Sequence, residues 1–313
     1  MATMKATRDA FGEALARMGE KFPNVVVLDA DLAKSTKSDA FAKKFPSRFF
    51  EMGIAEANMV GTAAGLALAG KVPFCCSFAC FITGRFDTVR LSVAYSKANV
   101  RLVGSHAGIA IGDDGYSQQG LEDVAAMRSL PGMAVIQPAD DVETEAAVEF
   151  LCSHVGPAYL RTTRQKLERV NDPATYKFEL GKAVELLPGG TDAAIFATGG
   201  EVAFALQAAQ ALKQEGLSVG VVNVHTIKPL DTAAVVRAAQ QAKAVVTAED
   251  HQINGGLGSA VAEALAEAGV GRKLLRIGLR DTFGESGTPE ELLAHFKMDA
   301  AGIAGQVRDF LRR

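Results

Sequence analysis

Glu56 is the residue of this chain best suited to acid–base chemistry. It stands in Glu51-Met-Gly-Ile-Ala-Glu-Ala-Asn-Met-Val-Gly61, among Ile54, Ala55, Ala57, Met59 and Val60, with no cationic side chain within four residues on either side. A carboxyl buried in such surroundings tends to keep its proton, and a protonated carboxyl can be aimed as a donor at a ring nitrogen. The plain alternative is that Glu56 only complements the positive end of a helix dipole. The run Gly61–Gly70, made of small residues, reads as a tightly packed helix ended by Gly70.

Other stretches carry weaker signals. The glycine pairs at 199–200 and 255–256 are phosphate-loop candidates, yet neither fits GxGxxG or a Walker motif. Gly255-Gly-Leu-Gly258 fits close helix–strand packing better than an anion site. Cys75, Cys76, Cys80 and Cys152 form no CxxC pair. Three of them lie in or beside a strand-like apolar run, which predicts buried free thiols rather than a metal site.

The elements that position these residues alternate between strand and helix. Helical spacing from Thr7 to Phe22 puts Phe11, Leu15 and Met18 on one face. Val25–Leu28 is a short apolar strand with Asp29-Ala-Asp31 at its C-terminal end, where ligands bind in open α/β sheets. There follow strand Val72–Phe78, a helical segment from Ile82 to Lys97, strand Val100–Val103 and the glycine-rich loop His106–Gln119. Helix 120–130, strand Met133–Ile136, helix 140–152 and strand Ala158–Arg161 complete this half. Residues 165–190 are polar and irregular and read as a crossing between domains. The alternation then restarts, with strands Asp192–Ala197, Val219–Val224, Ala244–Thr247 and Leu274–Ile277. The helices of this half fall near 201–215, 231–241, 257–268 and 289–296, with a terminal helix after 299. The predicted fold is α/β, with two domains, each a parallel sheet covered on both faces.

Composition bounds the function class. The 313 residues predict about two domains, and 48% hydrophobic with 22% charged residues is an ordinary globular balance. A net charge of -3 gives no reason to expect nucleic acid or an anionic membrane as partner. No apolar run approaches the ~20 residues of a membrane span. The start, Met1–Arg8, lacks a signal-peptide core, so a cytoplasmic location is the default expectation.

The Glu51–Gly61 segment resembles the glutamate motif of thiamine-diphosphate enzymes, specifically the pyrimidine-binding half of the transketolase family. The resemblance extends over nearly the whole chain, which looks like the C-terminal subunit of a split transketolase. It implies a pyrimidine-binding domain over 1–170, a linker over 171–188 and a transketolase C-terminal domain over 189–313, the last usually accessory. Glu56 is then the catalytic carboxyl, hydrogen-bonded to N1′ of the aminopyrimidine. Ser77-Phe78-Ala-Cys-Phe81 matches the aromatic segment that covers this ring, with Phe81 stacked on it and Phe78 beside it; by residue type alone both are core aromatics. Gly84 stands where a further aromatic is usual. Asp31 matches an aspartate beside the cofactor; otherwise it is a turn or helix cap. Arg8, Ser35, His106 and Arg164 match positions that hold the phosphate tail of the sugar, where arginine can grip an oxyanion bidentately. Asp114 matches the aspartate that reads a sugar hydroxyl. Gln118 stands where the family has a histidine. Glutamine can hydrogen-bond a hydroxyl but cannot shuttle a proton near neutral pH, so the donor ketose is left open.

Gly112-Asp-Asp-Gly115 resembles the family's metal-binding GDG signature only superficially, because no downstream asparagine accompanies it. The resemblance therefore implies no metal ligands on this chain. It further implies thiamine diphosphate shared with an N-terminal transketolase subunit that binds the diphosphate and Mg2+, in an α2β2 heterotetramer acting on sugar phosphates. Alternatives are the β subunit of a 2-oxoacid dehydrogenase E1 component, a 1-deoxyxylulose-5-phosphate synthase-like fragment, and a non-catalytic transketolase-like subunit. The Arg8, Ser35, His106, Asp114 and Arg164 set favours a sugar substrate.

Overall fold

The computed structural model describes residues 3–313. Two sheets dominate it. The first has seven strands in the order Thr226–Lys228, Ala134–Ile136, Ala158–Arg161, Arg101–Ser105, Val72–Phe78, Val25–Asp29, Phe49–Glu51. All neighbours run parallel except the first pair. Side chains alternate across such a sheet. Val26 and Leu28 enter one apolar cluster with Met59, Val60 and Leu102, while Val25 and Val27 enter another with Phe11, Leu15 and Val148. The sheet is thus covered on both faces, as expected.

The second sheet has five strands in the order Lys273–Leu279, Ala244–Gln252, Ala193–Ala197, Val219–Asn223, Val184–Leu187, with only the last antiparallel. The two sheets are not independent. Thr226–Lys228 leaves the second half of the chain and pairs antiparallel with Ala134–Ile136 of the first sheet. Among the described residues, no helix is long and apolar enough to cross a membrane.

Several elements differ from the sequence expectation. The helix after Glu51–Gly53 spans Glu56–Leu68, so Glu56 is its first residue. It closes at Gly70, whose φ of +84° suits glycine. The segment expected as one helix from Ile82 is broken into Ala79–Thr83, Phe86–Thr88 and a wide-turned stretch Val89–Tyr95. The expected irregular crossing holds a strand, Lys166–Glu168, which pairs with Met4–Ala6 across the whole length of the first half. Strands of three residues bury too little side chain to announce themselves in a sequence, and this ribbon positions the site described next.

Candidate functional site

Because the first sheet is parallel, its strands deliver their C-terminal ends to one edge. Four neighbours, Val25–Asp29, Val72–Phe78, Arg101–Ser105 and Ala158–Arg161, end there and continue directly into Asp31, Phe81, His106 and Arg164. The expected site residues therefore leave adjacent strands.

Glu56 is buried at the N-terminus of its helix and accepts a hydrogen bond from Ser77 Oγ at 3.1 Å. Ile54, grouped with it by sequence, points instead to solvent at 84% exposure. Ser77 is followed by Phe78, whose ring stacks on Phe81 (centroids 5.5 Å, interplanar angle 7°) and on His106 (4.0 Å, 23°). One aromatic stack thus joins the surroundings of Glu56 to His106.

His106 has a φ of +56°, a conformation uncommon for a residue with a side chain. Its Nε2 lies 2.7 Å from Arg8 Nη1 and its Nδ1 2.8 Å from Ser105 Oγ. A guanidinium can only donate, so Nε2 must accept and the proton sits on Nδ1, donating to Ser105. Burial, followed by the charges of Arg8, Arg164 and Lys37, pushes the imidazole down to about 3. It is a neutral ring that orients Arg8.

Arg8 also donates to the Ser35 carbonyl at 3.1 Å, while its buried Nε makes no hydrogen bond and lies 4.0 Å from Asp9 Oδ1. Burial holds its pKa below the usual arginine value, with Asp9, Arg164 and Asp114 acting on it in that order. The contact with Ser35 is made by the backbone. The ribbon Met4–Ala6/Lys166–Glu168 brings Arg8 beside Arg164, residues separated by half the chain. Its extension is fixed by Thr163 N donating to Thr7 Oγ1 at 2.8 Å and Arg8 N to the Thr163 carbonyl at 3.3 Å. Arg164, half exposed, pairs with Asp114 Oδ1 at 3.0 Å.

Asp31 (φ +61°) is exposed; its backbone N donates to Glu51 Oε1 at 2.8 Å. Gln118 is half-buried, and only its backbone N is engaged, with the Gly115 carbonyl at 3.0 Å. The structure therefore joins Phe81, Phe78, His106, Arg8 and the Ser35 backbone by contact, sets Glu56 beside them through its bond to Ser77, pairs Arg164 with Asp114 within reach of the Arg8 charge, and leaves Asp31 and Gln118 outside these contacts.

Sequence reasoning gave no structural role to the residues that hold this edge in shape. Asp29 is buried and accepts from Leu32 N (2.7 Å), Thr36 Oγ1 (2.7 Å) and Ser38 Oγ (2.8 Å), so it fixes the loop that carries Asp31 and Ser35. Burial raises its carboxyl to about 6, against the opposing pull of those hydrogen bonds. Asp250, from the second sheet, accepts from Ile109 N (2.8 Å) and Ala110 N (3.2 Å). It lies against Gly108, whose φ is +82°, and a side chain there would collide with its carboxylate. Gln119 Nε2 donates to the Glu285 carbonyl at 2.9 Å. The second domain thus grips the glycine-rich loop at two points. Its sequence signal was Glu249-Asp250-His251, three polar residues continuing an apolar strand.

The Gly255–Gly258 stretch is a packing feature. Glu249 caps the helix it opens, accepting from Leu257 N and Gly258 N at 2.7 Å each, so those amides are already satisfied from within.

Residues 3–169 match the family model of the transketolase pyrimidine-binding domain, and residues 181–303 that of the transketolase C-terminal domain. A protein of Methanocaldococcus jannaschii described as a transketolase C-terminal section is 45% identical, over 99% of this chain and 97% of that protein. A 6-deoxy-6-sulfo-D-fructose transketolase subunit of Clostridium sp. (strain MSTE9) is 43% identical, over 98% of this chain and 94% of that subunit. Among solved structures, a split-gene transketolase, an inactive β4 tetramer, is similar with a TM-score of 0.91 at 44% identity, covering 98% of this chain and 99% of that one.

Proposed function

The chain belongs to the transketolase family, and we propose that it works with an N-terminal subunit to move a two-carbon ketol unit from a ketose donor to an aldose acceptor. Its two domains correspond to the C-terminal section of a split transketolase. The observation that carries the reading is the connected wall from Glu56 through Ser77, Phe78 and His106 to Arg8, with Arg164 beside it.

The Glu56 end fits the aminopyrimidine of thiamine diphosphate. One carboxylate oxygen is held by Ser77, which leaves the other to share a proton with N1′ of the ring. The near-parallel Phe78 and Phe81 rings offer a flat apolar face for stacking, and Asp31 borders the same edge. When bound, thiamine diphosphate supplies the nucleophilic carbon that lets the bond beside a ketose carbonyl break and re-form. Glu56 acts as the acid–base group that sets the protonation of the ring nitrogen.

At the other end Arg8 and Arg164 supply two positive charges for an anionic sugar tail, phosphate above all. His106 and the Ser35 carbonyl hold the Arg8 guanidinium in place. Asp114, steadied by Arg164, reads a sugar hydroxyl, and Gln118 faces the donor end with a fixed hydrogen bond. Asp114 is committed to this ion pair, so the reading assigns Mg2+ and the diphosphate to the N-terminal subunit. The assembly is an α2β2 heterotetramer in the cytoplasm, where the four free cysteines stay reduced.

The test is reconstitution. The chain is mixed with an N-terminal subunit carrying the diphosphate site, thiamine diphosphate and Mg2+, and assayed with phosphorylated ketoses while the mass of the complex is measured. Activity is expected only in the mixture. A purified chain that turns over substrate alone would overturn the division of labour.

A further inference from the structure

Behind the anion-binding residues lies a small polar cavity between the two domains, of about 20 Å³. Thr7, Ala107 and Thr163 line it, each next in the chain to Arg8, His106 and Arg164. The opposite wall comes from the second domain and includes Glu201, the first residue of helix Glu201–Gln214.

Two polar atoms of this lining have no hydrogen-bond partner in the protein: Glu201 Oε2 and Thr162 Oγ1. Both residues are deeply buried, at 1% and 2% exposure. An unpaired buried oxygen costs roughly 1–3 kcal/mol, and both residues that carry one line the same cavity, an arrangement that a shared ligand would resolve. The available space suits a water: a site needs about 10–15 Å³ and two or more polar partners. Burial, reinforced by Asp250 and Asp299, pushes the Glu201 carboxyl well above the usual carboxylate range, which favours its protonated, donating form. Thr162 can accept or donate. A neutral, two-way partner fits this pair, whereas the space is too small for a phosphate or carboxylate.

We infer that the cavity is a specific water site, in which one water bridges the Glu201 carboxyl to the Thr162 hydroxyl and so braces the strand end carrying Thr163 and Arg164 against the second domain. Glu201 is thereby a positioning residue for the anion site, acting through the water. The bracing rests on the anion site proposed above; the water does not.

The test combines crystallography with calorimetry of inorganic phosphate binding, for the parent chain and for Glu201→Gln, Glu201→Leu and Thr162→Val. Density for a water within hydrogen-bonding distance of both groups is expected in the parent and in Glu201→Gln, and none in Glu201→Leu. Phosphate affinity should fall about three- to tenfold in Glu201→Leu and Thr162→Val, the loss of one hydrogen bond, and stay within about twofold in Glu201→Gln. Thr162→Val keeps shape and carries the test if Glu201→Leu does not fold. A dry cavity in a parent structure that resolves other internal waters would overturn the site. Unchanged phosphate affinity in both Glu201→Leu and Thr162→Val would overturn the brace. A parent chain that binds no phosphate would overturn the anion site and the brace with it, and the density alone would then decide the water.

Discussion

The two arginines of the proposed anion site should differ in strength, and the structure sets the order. The Arg8 side chain is 19% exposed and that of Arg164 41%. Arg8 is fixed by the Ser35 carbonyl and by His106, and keeps a buried Nε that makes no hydrogen bond, with Asp9 Oδ1 at 4.0 Å. Arg164 has one contact, with Asp114, and is otherwise screened by solvent. Hydrogen bonds to charged groups contribute about 1.5–3 kcal/mol, and screening puts an exposed pair at or below the lower end. Arg8→Ala should therefore cost about 3 kcal/mol of phosphate binding, on the order of 100-fold. Arg164→Ala should cost about 1.4 kcal/mol, roughly tenfold. The assay is kcat/KM of the reconstituted complex for phosphorylated and non-phosphorylated aldehyde acceptors of the same chain length, with Tm recorded for each variant. The phosphorylated-to-free ratio should fall by these factors, while the free aldehyde changes by less than about twofold. Equal losses for both acceptors, or a larger loss at Arg164 than at Arg8, would refute the assignment.

Two further outcomes follow from the same geometry. Glu56→Gln keeps the bond with Ser77 but removes the acid, so kcat of the complex should drop by about 100-fold or more with cofactor affinity largely kept; near-normal turnover would mean that Glu56 is only a helix-end residue. His106 is lowered to about 3 from 6.5, so the unfolded chain takes up a proton below pH 6.5 that the folded chain refuses, and stability falls as pH drops from 6.5 toward 3. His106→Asn, which tolerates the left-handed backbone, should lose less Tm between pH 7 and pH 4 than the parent, and parallel Tm profiles would argue against the buried neutral imidazole.

What the sequence made legible is the part governed by short-range rules. The long apolar strands and the helix ended by Gly70 come from runs and punctuation, and the structure has them. Glu56 stood out because a carboxyl in an apolar stretch is unusual, and it is buried at 6% exposure. The anion-site residues were named only through the family resemblance, because nothing local connects Arg8 with Arg164. Their connection is a ribbon of two three-residue strands whose register joins Lys5 to Leu167, and pairing over that separation leaves no periodic trace. Asp250 and Glu249 were passed over because the strand was ended at Thr247, where polarity rises. It runs on to Gln252, since both carboxylates find backbone N–H partners that make their burial tolerable.

The second domain is usually accessory in the family this chain resembles, but its contacts here argue for a share in shaping the site. Thr226–Lys228 closes one edge of the first sheet, and Lys228 Nζ donates to the Arg128 carbonyl at 2.8 Å and the Leu130 carbonyl at 2.5 Å. Arg161, on the strand that leads to Arg164, donates to both Asp123 oxygens and to the carbonyls of Gly120 and Asp250. A buried guanidinium tied to both domains favours their contact, because parting them would break its bond to the Asp250 carbonyl while those to Asp123 and Gly120 remain. The glycine-rich loop buries Ile109 in the core of the second domain, and the Asp250 carboxylate on Ile109 N and Ala110 N adds directed hydrogen bonds to that packing. His106 enters this loop and Asp114 lies within it, so the position of both depends on a carboxylate supplied by the second sheet. Asp250→Asn would present an amide to two N–H donors that need acceptors, leaving at most one of them well satisfied. The result expected is a loop that shifts at His106, seen as a rise in KM for phosphorylated acceptors with kcat for free aldehydes nearly unchanged. If Asp250→Asn instead lowered kcat for both acceptor classes alike, the second domain would be supporting the fold as a whole rather than the anion end of the site.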